Sequence, residues 1–225
     1  MKLSGPQTLL VLLAATLLCS VAGAKDLDAG QVADKIQKFY DSSKDFQAAF
    51  QQEYFSKALG RKKTSSGFIY IKKPGKMRWD YKQPRAKHFV ADGQALYIYD
   101  PELEQVMVDR NFSGSQLTTA ISFLWGRGNL KDEFKVEFSK RADLGGSGHY
   151  VLELLPKKNA RFKRLTFVVD KKNFQVVETL VVDPGDNINH IFFAKVSINV
   201  GLKDQSFRSV FRVQDTGRCR SHRDA

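Results

Sequence analysis

The sequence predicts a mainly β protein with a few helices, built as an antiparallel barrel or sandwich. Three observations lead there. Ten to twelve short apolar runs follow the period of two that puts alternate side chains on opposite faces of a sheet. Turn-forming pairs separate them at short intervals: Pro74-Gly75, Gln83-Pro84, Asp92-Gly93 and Asp100-Pro101. Many runs are apolar on both faces, so the sheet needs cover on two sides, where a half-wet sheet would alternate cleanly.

The chain opens with a leader. Lys2, the apolar stretch "LLVLLAATLL" (9–18) and the small residues "AGA" (22–24) have the form of a secretory signal peptide cleaved after Ala24. The stretch is too short to span a bilayer. Cys19 would be the acylated residue of a lipoprotein, but bulky Leu18 stands before it where a small residue is expected, and Cys19 reads better as part of the apolar leader. The mature chain is then one domain over 25–207, followed by a tail. Only Cys219 survives cleavage, so no disulfide forms within the chain.

A helix comes first. In "DLDAGQVADKIQKFYDS" (26–42), Val32, Ile36, Phe39 and Tyr40 share one helical face, and Asp28 with Gln31 forms a capping box. Strands follow: 45–55 with Phe46, Ala48 and Phe50 on one face, then 66–73, 76–81, 87–91, 95–100 and 104–109. "MRWDY" (77–81) puts Met77, Trp79 and Tyr81 on one side and Arg78 and Asp80 on the other. Asp92-Gly93 signals a two-residue hairpin. The strand rhythm breaks at "SGSQLTTAISFLWGRGN" (113–129), where Leu117, Ile121, Leu124 and Trp125 again mark a helical stripe, capped by Ser115 and ended by Gly126 or Gly128. Strands resume over 133–139, 148–156, 164–170, 174–183 and 189–200, with a hairpin turn near 171–173. From Arg208 to Ala225 the chain holds five Arg against two Asp and loses periodicity, which predicts a disordered tail.

The net charge of +12, or +11 without Lys2, favours an anionic partner or a solvated basic surface. Export argues against nucleic acid, and no recognition helix or base-stacking motif is present. Catalytic signatures are thin. His88, His149, His190 and His222 are scattered and read as hydrogen-bonded structural residues. There is no helical zinc pair and no phosphate loop, and "GGSGH" (145–149) departs from a nucleophile elbow and reads as a glycine-rich hairpin loop. "NFS" (111–113) fits a glycosylation sequon, a pattern common by chance. Neither a metal nor a cofactor is expected. The two-faced apolar strands leave two architectures: a closed core, or a curved sheet around an apolar cavity with helices across it.

The stretch "IYIKKPGKMRWDYKQPRAKHFVADGQALYIYDPELEQVMV" (69–108) resembles the outer-membrane lipoprotein carrier protein (LolA) family. It carries that family's order of strand, basic residue, Pro, turn and Trp-containing strand, then a "DG…L…YDP" hairpin. "FLWGRGNL" (123–130) is similar to the family's "LLxGxGNL" segment, and "SINVGLKDQSFR" (197–208) to its last core strand. The likeness runs over about residues 28–211.

The resemblance implies an incomplete, unclosed antiparallel barrel of about eleven strands under a helical lid, with no covalent chemistry. It implies a periplasmic monomer whose cavity holds the acyl chains of lipoproteins. Such a protein takes its cargo from an inner-membrane ATP-dependent transporter and hands it to an outer-membrane acceptor. A related lipid- or lipoprotein-binding protein with a sensing or membrane-anchored role would share the fold.

On this reading Phe46, Phe50, Phe68 and Met77 line the acyl cavity together with Trp79, Tyr81, Leu96 and Ile98. Period two fixes the face of Tyr81 and not its depth. Leu117, Ile121, Leu124 and Trp125 form the lid. Lys73 occupies the position of an Arg that latches the lid backbone in the family; Lys lacks the planar fork of donors, which implies a looser latch. Met77 replaces the Phe or Leu common in the family, and the Arg-rich tail replaces its Pro-rich ending.

Overall fold

The computed structural model describes residues 26–112 and 128–208. The predicted leader (1–24), the lid residues Leu117, Ile121, Leu124 and Trp125, and nearly all of the predicted tail, with Cys219 and His222, lie outside the described residues.

Helix α1 (Ala29–Ser42) starts where its cap predicts. The Asp28 carboxylate accepts from Gln31 N at 2.8 Å while the Gln31 side chain accepts from Asp28 N at 3.0 Å, so two otherwise orphaned amides are satisfied. Eleven strands follow: β1 (Asp45–Ser56), β2 (Arg61–Lys72), β3 (Lys76–Gln83), β4 (Lys87–Ala91), β5 (Leu96–Asp100) and β6 (Gln105–Asp109). After them come a one-turn helix, α2 (Leu130–Glu133), and then β7 (Phe134–Phe138), β8 (His149–Pro156), β9 (Arg164–Asp170), β10 (Val176–Val182) and β11 (Ile188–Ile198). A 3-10 turn at Asp204–Phe207 ends the described chain.

All eleven strands form one antiparallel sheet in the order β6-β5-β4-β3-β2-β1-β11-β10-β9-β8-β7. Two meanders therefore meet at β1, which pairs with β2 on one side and β11 on the other. The sheet does not close: β6 and β7 are its free edges, as the unclosed barrel of about eleven strands requires.

Side-chain parity explains the core. Phe46, Ala48 and Phe50 of β1 face the same side as Ile69 and Ile71 of β2, Met77 and Trp79 of β3, and Ile191 and Phe193 of β11. That concave side continues through Phe167 and Leu152 on the other meander. Against it packs the apolar stripe of α1, with Val32, Ala33, Ile36 and Tyr40 fully buried in the same cluster. The Tyr40 hydroxyl accepts the amide of Val176, beside the bulge in β10, at 3.1 Å. The helix thus covers one end of the concave face and satisfies a strand amide that the ladder leaves over.

The convex face carries polar pairs. Asp80, buried on β3, binds Arg78 Nε at 2.7 Å and lies 2.6 Å from His88 Nδ1. His190 pairs with Glu178 at 2.9 Å, and His149 binds the carbonyl of Gly145. These three histidines hold structure, as expected. Below β1, the Asp45 carboxylate gathers the amides of Val200, Gly201 and Leu202 at 2.7–3.1 Å and fixes the chain after β11.

Candidate functional site

The predicted cavity residues divide into two groups and one exception. Phe46, Phe50, Met77 and Trp79 are on the concave face and buried, at 2–6% exposure, in the cluster that includes α1. They belong to the buried core at that end. Tyr81, Leu96 and Ile98 share the face by register, since Trp79 pairs with Phe89, Phe89 with Ile98, and Ala91 with Leu96, and all three are half-buried.

Phe68 is the exception. It is 43% exposed on the opposite face, and the β2 residues that belong in the core are Ile69 and Ile71. Gly67 sets this parity. It sits opposite Tyr81 next to a register shift, and a Cβ there would come within 1.9 Å of the Asp80 carbonyl oxygen. Only glycine allows β3 to approach so closely. With Gly67 inward, Phe68 must point out.

Beyond Trp79 the face opens. A cleft of about 360 Å³ is lined by residues of β1, β2, β3 and β4 and of the β3–β4 turn. Its apolar walls are Tyr54, Tyr81 and Phe89. Tyr81 links cleft to core: its ring meets Phe50 edge-on at 5.1 Å, stacks on Trp79 at 6.1 Å and meets Phe89 at 5.9 Å. So Tyr81 does not plug the wall's end; it forms the wall of the opening.

The Tyr81 hydroxyl donates to Gln52 Oε1 at 2.9 Å, and Gln52 Nε2 donates to Asn189 Oδ1 at 2.8 Å, a polar chain along one side of the cleft. Burial lifts the Tyr81 phenol to about 12, with the Gln52 bond opposing, so it stays neutral and donating at ordinary pH. Trp79 Nε1 is buried without a hydrogen-bond partner among the described residues, a spare donor beside the cleft in an apolar wall.

The rim of the cleft is basic, with Lys63, Arg85 and Lys87. Of the residues around the cleft, sequence reasoning named only Tyr81; it missed Lys63 and Ser65, and also Gln52, Tyr54, Gln83, Pro84, Arg85, Lys87 and Phe89. The signal for the first two was available: the parity of Ile71, Ile69 and Gly67 continues through Ser65 to Lys63, but "RKKTS" has no apolar residue to mark it as strand.

Among the described residues, the predicted latch acts on α1. Lys73 Nζ donates to the carbonyl of Tyr40 in the last turn of α1, a cation at the negative end of the helix dipole. Burial pushes the Lys73 pKa below its ordinary value, with Asp41 working the other way. The far end of the inserted segment is also tied to α1. Gln37 accepts the amide of Leu130 at 3.0 Å, and Lys131 pairs with Asp34 at 2.9 Å. Helix α1 is therefore held both by Lys73 and by the start of α2.

Among the described residues no group of three His, Cys, Asp or Glu is placed to hold a metal ion, and no helix is long and apolar enough to cross a membrane. The arrangement offers an apolar wall, a polar chain and a cationic rim, a surface suited to binding an amphiphile.

The family model of the outer membrane lipoprotein carrier protein LolA matches residues 41–210. An outer-membrane lipoprotein carrier protein of Cupriavidus pinatubonensis is 31% identical over 179 residues, spanning 78% of this chain and 81% of that one. One of the same name from Methylococcus capsulatus is 27% identical over 175 residues, 77% and 81% of the two chains. Among solved structures, an uncharacterized conserved protein from Thermus thermophilus shares the fold, with a TM-score of 0.51 at 11% identity over 80% of this chain and 91% of that one. The chain belongs to the outer-membrane lipoprotein carrier protein (LolA) family.

Proposed function

We propose that this protein is a periplasmic carrier that holds lipoprotein acyl chains on the concave face of its sheet and ferries lipoproteins from the inner to the outer membrane. The observation that carries the reading is the continuity of the aromatic wall, from buried Phe50 and Trp79 to the open cleft at Tyr81 and Phe89, on a fold whose relatives are named lipoprotein carriers. The leader (1–24) is removed on export, and residues 25–207 act as a monomer.

The physical need is plain. Burying a methylene is worth about 0.8 kcal/mol, so an acyl chain of roughly sixteen carbons represents on the order of 10 kcal/mol and does not leave a membrane unaided. A carrier must hide that surface and still release it. At about 360 Å³ the cleft is at the small end of ligand sites and admits about one chain. Further chains displace α1 from the concave face, so its Lys73 latch governs loading. The cargo arrives from an inner-membrane ATP-dependent transporter and leaves to an outer-membrane acceptor, with the lid at Leu117, Ile121, Leu124 and Trp125 closing over it.

The test is release of a triacylated lipoprotein from inner-membrane vesicles carrying the transporter. The expected result is a soluble one-to-one complex with this protein. Cargo that stays in the membrane fraction at every carrier concentration overturns the reading.

A further inference from the structure

The apolar wall accounts for an acyl chain, but not for what surrounds it. We propose that Lys63 and Lys87 make the mouth of the cleft a head-group site, selecting single-chain amphiphiles whose polar end is anionic, a phosphate diester or a carboxylate. This rests on the acyl-site reading above and adds what is recognised at its rim.

The residues around the cleft include three cations and no carboxylate. One of the three is already engaged: Arg85 is bound by Asp100 at 2.9 Å and by Glu102 at 3.2 Å. Lys63 and Lys87 have no ion-pair partner among the described residues, although their neighbour Lys62 binds Glu53 at 3.2 Å. Their placement is set by strand register. Lys63 pairs with Tyr54 and Lys87 with Tyr81, so both stand on the concave face beside the aromatic wall.

The Lys87 ammonium lies 5.7 Å from the centre of the Phe89 ring, which places it at the edge of the apolar surface. Two unneutralised cations next to an apolar cleft add nothing to the capture of a neutral chain. They favour a chain that ends in a negative charge. The neutral donors and acceptors alongside, Gln52, Ser65 and Gln83, can bond the remaining head-group oxygens. The overall charge of +12 steers such ligands toward the protein, but the rim decides where the head group rests.

The experiment is calorimetric titration of the folded protein below the critical micelle concentration of each ligand. The ligands are lysophosphatidylglycerol, lysophosphatidylcholine and a fatty acid of matched chain length, with inorganic phosphate as a separate arm. We expect the two anionic amphiphiles to bind about tenfold tighter than the zwitterionic one at low salt, with the gap shrinking as salt rises. The double variant Lys63→Ala/Lys87→Ala should lose that gap and keep its affinity for lysophosphatidylcholine. A matched variant of two exposed, remote lysines, Lys158→Ala/Lys172→Ala, should keep the gap.

Equal binding of all three amphiphiles by the native protein overturns the head-group site and leaves the acyl reading standing. A gap that closes in the remote variant as much as in the rim variant also overturns it, since bulk charge then suffices. Inorganic phosphate that displaces the anionic amphiphiles at equal concentration assigns the rim to free anions and overturns it as well. Failure of every amphiphile to bind removes the acyl reading together with this one.

Discussion

The two ends of the concave face are made of the same strands and treated oppositely. At one end Met77 and Trp79 are sealed into a core with α1, while two residues along β3 Tyr81 lines an open cleft. The strand period does not change between them, nor does the aromatic character. What changes is the burial: Met77 and Trp79 belong to the cluster that also takes in the stripe of α1, and Tyr81 borders the cleft. The lesson is that the binding surface here is a continuation of the core wall, set apart from it by burial and not by a change of residue type.

The largest effect expected of that difference is on stability. Trp79→Ala should lower the unfolding free energy by about 3–5 kcal/mol, as for other large buried aromatics. Tyr81→Ala should cost less, about 1–2 kcal/mol for the lost Gln52 bond and partial burial, yet abolish capture of acylated cargo. Denaturant titration and a cargo pull-down read the two effects. Equal stability losses for both variants would erase the distinction between closed and open ends.

Next comes the latch. Lys73→Met removes the charged donor to the Tyr40 carbonyl and should cost about 1.5–3 kcal/mol. Amide exchange in the last turn of α1 should quicken, while exchange in β9 stays slow. Uniform exchange across the molecule would deny Lys73 any local hold on the helix.

A smaller effect separates the concave face from the convex one. Asp204 binds Lys72 at 2.6 Å and Lys76 at 2.7 Å, tying the 3-10 turn to the β2–β3 hairpin, and these lysines hold its carboxyl down to about 2. A carboxylate with its folded pKa below the ordinary 3.8 stabilises above that value and loses its contribution as pH falls from about 4 through 2. Thermal scans from pH 5 to 2 should show Asp204→Asn less stable at the upper end and level with the native protein at the lower, with cargo binding at neutral pH unchanged. A gap that persists at pH 2 would reject this tether. The smallest change expected is Phe68→Ser, on the outer face, within about 0.5 kcal/mol and without effect on binding.

Much of the fold was legible because turn chemistry and period two agreed. β4 and β9 coincide with the runs 87–91 and 164–170, and the Asp28–Gln31 box starts α1 where expected. The hairpin between β4 and β5 is displaced by one residue: Asp92 N bonds Ala95 O at 3.2 Å, leaving Gly93 and Gln94 as the central pair. β2 begins at Arg61, five residues before the apolar run, because its polar half is ordered by pairing with the far end of β1, which hydrophobicity does not report.

The site was less legible. Period two separated Phe68 from Ile69 correctly but could not say which face was inward; the close approach at Gly67 decides that, and it is a backbone contact between strands. Nor could the sequence tell Trp79 from Tyr81, because the reach of α1 over the sheet is a tertiary fact.

The most direct test of the account places a chain against this wall. In the variant Trp125→Phe, Trp79 is the one remaining tryptophan. Titration with a lipopeptide whose acyl chain is brominated should quench Trp79 emission in step with complex formation and reach its plateau at one ligand per protein. Complex formation, seen by co-elution, with Trp79 emission unchanged would contradict the assignment of the Tyr81 cleft, against which Trp79 stacks, as the acyl site.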